Sequence, residues 1–175
     1  MQNQRDLTAF NDSVLPQLDA GYNLARWLTN NDHDAEDVVQ EASLRAFKYW
    51  SGFSGQNCRA WFLAIVRNTY YTWLRRESIQ PDTLANEDMT DVTDGMPNPE
   101  AAVLQSADRS TLQFALEELP VEFREAIVLR EMEGMSYKEI ADIANVPIGT
   151  VMSRLARGRK QLQLQLVNLR SRATS

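Results

Sequence analysis

Apolar residues recur at three- and four-residue spacing along most of the chain, and no stretch shows the strict alternation of a strand. The spacing predicts an all-α protein. Its clearest segment is 136–162, SYKEIADIANVPIGTVMSRLARGRKQL. Ser136, with Glu139 three residues later, is a capping-box pair that starts a helix, and Ile140, Ala141, Ile143 and Ala144 give that helix an apolar side. Asn145, Val146 and Pro147 break it. Proline is tolerated in a first helical turn, where its missing N–H costs nothing, so a second helix begins here and runs past Gln161. Val151, Leu155 and Leu162, with Gly158 among them, fall on its inner side. Thr150, Ser153, Arg154, Arg157 and Lys160 or Gln161 fall on the outer one. Two helices joined by so short a break read as a helix-turn-helix, and short polar residues beside long cationic ones suit a helix laid in a DNA major groove. The plain alternative is a solvated helix face.

Upstream, the same spacing predicts a helix over 121–132, with Phe123, Ile127 and Val128 inward and Gly134 as its stop. Another runs from an Asn98–Pro99 start through Leu112, Ala115, Leu116 and Leu119 to Pro120. Together these complete a small all-helical C-terminal domain. Nearer the N-terminus, 23–29 is amphipathic and 31–34 reads as a turn with a capping Asp. A longer helix follows over 34–50, with Val38, Ala42, Leu44 or Arg45, and Phe47 toward the core. Asp37, Gln40, Glu41 and Leu44 share another stripe, and a polar stripe is most often only wet. After a turn at 51–57 (SGFSGQN), residues 59–76 form an aromatic-rich helix. Phe62, Ile65, Val66, Thr69 and Trp73 suit its core side, whereas Arg67, Asn68, Tyr71, Thr72, Arg75 and Arg76 suit solvent or nucleic acid, where rings stack bases and cations neutralise phosphates. Trp61 and Trp73 fit a core role equally well.

Charge changes this picture. The chain has 18 basic and 24 acidic residues for a net of −6, yet from Gly149 to the end there are six Lys or Arg and no acid. A merely solvated face would mix signs, so the imbalance favours DNA binding by the last helix. The overall acidity opposes nonspecific coating of nucleic acid, so any contact must be local or assisted. Residues 77–100 hold seven acids, three prolines and no Lys or Arg, the composition of a linker. The expected organisation is therefore a helical domain at 1–76, an acidic linker at 77–108 and a helix-turn-helix domain at 109–175. Cys58 and His33 are each the single residue of their kind and lie far apart in sequence, so neither a disulfide, a metal site nor a cofactor is expected. The chain shows no signal-peptide core and no membrane-length apolar stretch, which predicts a cytoplasmic protein without membrane insertion.

Taken in order, DAEDVVQEASLRAFKYW, RAWFLAIVRNTYYTWLRR, LEELPVEFREAIVLREMEGMSYKEIA and GTVMSRLARGRKQL resemble the segments of bacterial RNA polymerase sigma factors, in the extracytoplasmic-function group of the sigma-70 family. The likeness covers nearly all of the chain. It implies a region 2 domain, a linker and a region 4 domain, the organisation reached from spacing alone. It implies that Asp37, Gln40 and Glu41 dock on the clamp helices of the polymerase β′ subunit. It implies that the 51–57 loop pockets a base flipped from the −10 promoter element, with Phe53, Gln56 and Asn57 offering stacking or hydrogen bonds and Arg59, Asn68, Tyr71 and Thr72 lining the strand path. Thr150, Ser153, Arg154, Arg157 and Lys160 would then read the −35 duplex. The tryptophan pair with which primary sigma factors wedge the duplex has no clear equivalent, so opening depends more heavily on a good −10 match. Members of the group commonly have an anti-sigma factor, and a partner of that kind is expected.

The implied function is a promoter-specificity subunit of core RNA polymerase with no catalysis of its own. A free-standing helix-turn-helix regulator is the alternative; it would need a ligand pocket or a dimer seam in the first domain. A nucleic-acid-processing enzyme would need a carboxylate cluster, a P-loop or a histidine constellation, and no such spacing occurs.

Overall fold

The computed structural model describes residues 2–77 and 109–174, all helix and connecting turns with no strand among them. The first domain comprises α1 (Gln2–Val14), α2 (Leu18–Thr29), α3 (Asp32–Lys48) and α4 (Cys58–Glu77). A 3-10 turn over Leu15–Gln17, carrying Pro16, joins the first two. Asn30 ends α2 in the left-handed region at φ 55°, and the Asn31 side chain then accepts from the Asp34 N–H to cap α3. The cap is thus Asn31, and Asp32 and Asp34 lie inside the first turn, where their charge faces the positive end of the helix.

The inner row of α3 is Ala35, Val38, Ala42 and Ala46. Phe47, expected inward, and Leu44, placed inward only as the alternative to Arg45, stand outward at 52 % and 68 % exposure, because small residues let α3 lie close on α2 and α4 and leave no room there for larger ones. Leu24, Leu28, Phe62, Leu63 and Val66 fill the centre. Gly21 permits the close approach of α2 to α4: a Cβ there would stand 2.6 Å from Phe62 Cε1. On α4, Tyr70 is buried, while Ile65 and Trp73 are half-buried.

The second domain comprises α5 (Arg109–Glu117), α6 (Val121–Ile127), α7 (Tyr137–Ala144) and α8 (Ile148–Ala173). A π-helical segment, Val128–Met132, extends α6 up to Gly134 at φ +66°. Arg124, itself buried, donates from Nη1 to the Glu117 and Leu119 carbonyls and so ties α6 to the end of α5. The capping box forms as expected, Ser136 Oγ accepting from Glu139 N–H and Glu139 accepting from Ser136 N–H. Asn145 closes α7 at φ 55°, and Pro147 sits one residue before α8. Ile140, Ile143, Val151, Leu155 and Leu162 are buried, with Gly158 letting α8 pack on α6 beside Ile127 and Phe123. The expected helix start at Asn98–Pro99 and the linker over 78–108 lie outside the described residues.

The two domains are in contact. α7 lies along α4, and α6 packs against α2, so the surface of the first domain that carries its cations and aromatic rings is also the surface it turns toward the second.

Candidate nucleic-acid and polymerase interfaces

The residues expected along the −10 strand path are drawn together on one side of α4 and the loop before it, and most are already engaged. Asn57 caps α4 by accepting from the Ala60 N–H and donates to Glu139 of the second domain at 2.7 Å. Arg59 pairs with Glu133 at 2.5 Å, and Asn23 donates to the other oxygen of that carboxylate. Tyr71 donates to Glu125 at 3.2 Å, and Arg67 pairs with Glu125 while lying over the Tyr71 ring. Phe53 stacks on Trp50 and lies tilted against Trp61, with ring centres 5.4 Å and 4.7 Å away. Thr72 returns its hydroxyl to the Asn68 carbonyl of its own helix. Gln56 and Asn68 are exposed.

Three carboxylates of the second domain therefore face the cations and amides of the first. Glu125 is 1 % exposed, and burial pushes its carboxyl up against the opposing pull of Arg67 and Arg154. Burial, with the Glu125 charge added, pushes the Tyr71 phenol up. Glu139 is held below the usual carboxylate range by the Ser136 backbone N–H, then the Ser136 side chain and Asn57. Spacing gave no sign of Glu125, Glu133 or Asn23, since each reads as an ordinary helix residue until the two domains meet.

On α8, Thr150, Ser153, Arg154 and Arg157 are half-buried and Lys160 is exposed. Arg154 leans toward α6, lining a narrow cleft with Glu122, Glu125 and Ile140. Met152 and Ile148 stand out at 41 % and 46 % exposure. Arg159 reaches Glu131 at the end of the π-helical segment. On α3, Asp37 and Gln40 are exposed, whereas Glu41 is two-thirds covered and pairs with Arg45 and Arg76. Leu44 extends the Asp37–Gln40 face. Cys58 donates its thiol to the Ser13 carbonyl, and His33 lies 3.8 Å from Asp37 on the surface. Among the described residues no helix is long and apolar enough to cross a membrane.

Comparison with known proteins divides the chain along the same lines. The family model for sigma-70 region 2 matches residues 13–79, and that for sigma-70 region 4 matches residues 109–162. The extracytoplasmic-function RNA polymerase sigma factor SigW of Bacillus subtilis is 33 % identical over 173 residues, spanning 94 % of this chain and 92 % of that one. SigE of Mycolicibacterium smegmatis, of the same group, is 38 % identical over 161 residues; the match takes in 91 % of this chain but 62 % of that protein. Among solved structures, the sigma factor RpoE in complex with the anti-sigma factor NepR from Bartonella quintana superposes with a TM-score of 0.70 at 31 % identity, covering 90 % of this chain and 96 % of that one.

Proposed function

The chain belongs to the extracytoplasmic-function group of sigma-70 RNA polymerase sigma factors, and on that premise we propose that it is a promoter-specificity subunit: it binds core polymerase and recognises the −35 and −10 promoter elements. The carrying observation is the pairing, in one chain, of a helix-turn-helix whose last helix has no acid from Gly149 onward with an α4 face built of arginines and aromatic rings. The first suits duplex; the second suits single strand.

Asp37, Gln40 and Leu44 form the surface offered to the β′ clamp helices, since they stand outward together while Glu41 is held by Arg45 and Arg76. Phe53, Gln56, Asn57, Arg59, Asn68, Tyr71 and Thr72 line the −10 path, and Thr150, Ser153, Arg157 and Lys160 belong to the −35 surface. The linker over 77–108 connects the two, its acids suited to a basic channel. The protein works in the cytoplasm, performs no catalysis and needs no cofactor. An anti-sigma factor is a further partner, as NepR is for the RpoE it resembles.

The test is assembly with core. The double substitution Asp37→Lys, Gln40→Lys changes exposed positions, so the protein should fold normally by circular dichroism yet fail to co-purify with core polymerase or support promoter-specific transcription. Normal assembly by the folded variant would show that core polymerase docks on a surface other than the one Asp37 and Gln40 share.

A further inference from the structure

The outward crest of the first turns of α8 carries no charge. Ile148, Met152 and Ala156 follow one another at four-residue spacing, all exposed, with exposed Gly149 and half-buried Ser153 beside them. Arg154, which lies between Met152 and Ala156 in sequence, turns instead toward the buried Glu125, whose carboxyl feels its charge. Arg157 and Lys160 flank the row one turn further on. The helix thus presents a small and apolar strip bordered by cations, in a segment free of acids.

We infer that Met152, with Ile148 and Ala156, reads thymine methyl groups in the −35 duplex, and that Arg154 takes no part in reading bases. The 5-methyl of thymine is the apolar feature of the major groove, so an apolar strip laid there discriminates by burying it. Glycine and alanine at positions 149 and 156 let the helix backbone approach the bases closely. The cations beside the strip fit the flanking phosphates. The inference rests on the sigma reading above and specifies how its −35 surface works.

The test uses the full chain assembled with core polymerase. A −35 duplex is first selected from a library randomised over that element, and each thymine in it is then replaced by deoxyuridine, which removes the methyl and nothing else. Wild-type holoenzyme should bind at least one singly replaced duplex about three- to fivefold more weakly, the effect of one buried methyl. Met152→Ala should weaken binding to the thymine duplex by a similar factor and lose that methyl sensitivity. Arg154→Ala should retain it. A selected duplex that shows no methyl sensitivity dependent on Met152 overturns the inference and leaves the sigma reading standing, as does a change of base preference in Arg154→Ala alone. If Met152→Ala impairs transcription with duplex binding unchanged, the strip faces a protein and the inference fails. If holoenzyme selects no duplex at all, the sigma reading itself falls.

Discussion

Glu125 is 1 % exposed and accepts from Arg67 and Tyr71, both on the other domain. A carboxylate so placed holds its charge only because those groups and Arg154 surround it; burial still leaves its carboxyl raised. The folded chain therefore keeps a proton there at pH values where the unfolded chain has released it. Its contribution to stability is fullest at and below the ordinary carboxylate range and is lost as pH rises through the raised value. Glu125→Gln removes the titration but keeps an acceptor for Arg67, so its melting temperature should fall less than wild type between acid and neutral pH. Equal slopes would assign the dependence to other groups. Two glycines give a contrast at the same scale. Gly21→Ala forces a Cβ within 2.6 Å of Phe62, which is fully buried between α2 and α4, and should cost about 1–3 kcal/mol in urea unfolding. Gly149→Ala meets nothing within 4 Å and should instead stabilise the chain by about 0.5–1 kcal/mol.

Elements differ in how much of their structure their own sequence determines. The capping box of α7 was legible because Ser136 and Glu139 satisfy each other's backbone groups locally. The buried rows of α7 and α8 were legible for a similar reason, their large apolar residues marking the inner face. The inner row of α3 is mostly alanine, which marks a face weakly, so spacing points the conspicuous Phe47 inward and leaves Leu44 open between two faces, although both stand out. α1 gave no clear pattern, since Phe10 and Val14 are the two residues it buries. Helical spacing puts Arg154 on the outer side of α8, but spacing fixes only a direction and not the buried Glu125 charge toward which the side chain leans. At this scale the capping box is the point to test: Ser136→Ala should cost about 1 kcal/mol by losing the Glu139 N–H acceptor. Glu139 is held low chiefly by the Ser136 N–H, so its share of stability is present above the ordinary carboxylate range and lost as pH falls through the lowered value. Ser136→Ala keeps that backbone N–H and loses only the side-chain bonds, so both proteins should lose stability as pH falls and the gap in melting temperature should narrow only in part; a gap that vanishes at low pH would show that the whole cap depends on the Glu139 charge.

Across the whole molecule, what no local pattern foretold is the meeting of the domains. Asn57, Arg59, Arg67 and Tyr71 cannot hold a nucleotide strand while they hold Glu139, Glu133 and Glu125. If this face takes the −10 strand as proposed, promoter engagement requires those contacts to part, and their strength sets part of the cost of binding. Weakening them without touching a −10 residue should raise the affinity of the full chain for single-stranded DNA carrying a −10 sequence. Glu133 and Glu139 are the positions to change: Glu139 is half-buried, and Glu133, although buried, faces a partly exposed Arg59, whereas Glu125 is 1 % exposed, too deep for its removal to be a clean perturbation. The variant Glu133→Gln, Glu139→Gln keeps the size of both side chains and the hydrogen-bonding capacity of the cap. It also removes two negative charges, which by itself helps any polyanion to bind. The proper comparison is thus Asp6→Asn, Asp12→Asn, an equal change of charge on the exposed side of α1. Measured by fluorescence anisotropy at matched salt, the Glu133, Glu139 variant should bind the strand severalfold more tightly than this control. If the two bind alike, the carboxylates do not compete with the strand, and the contact between the domains leaves the −10 surface open.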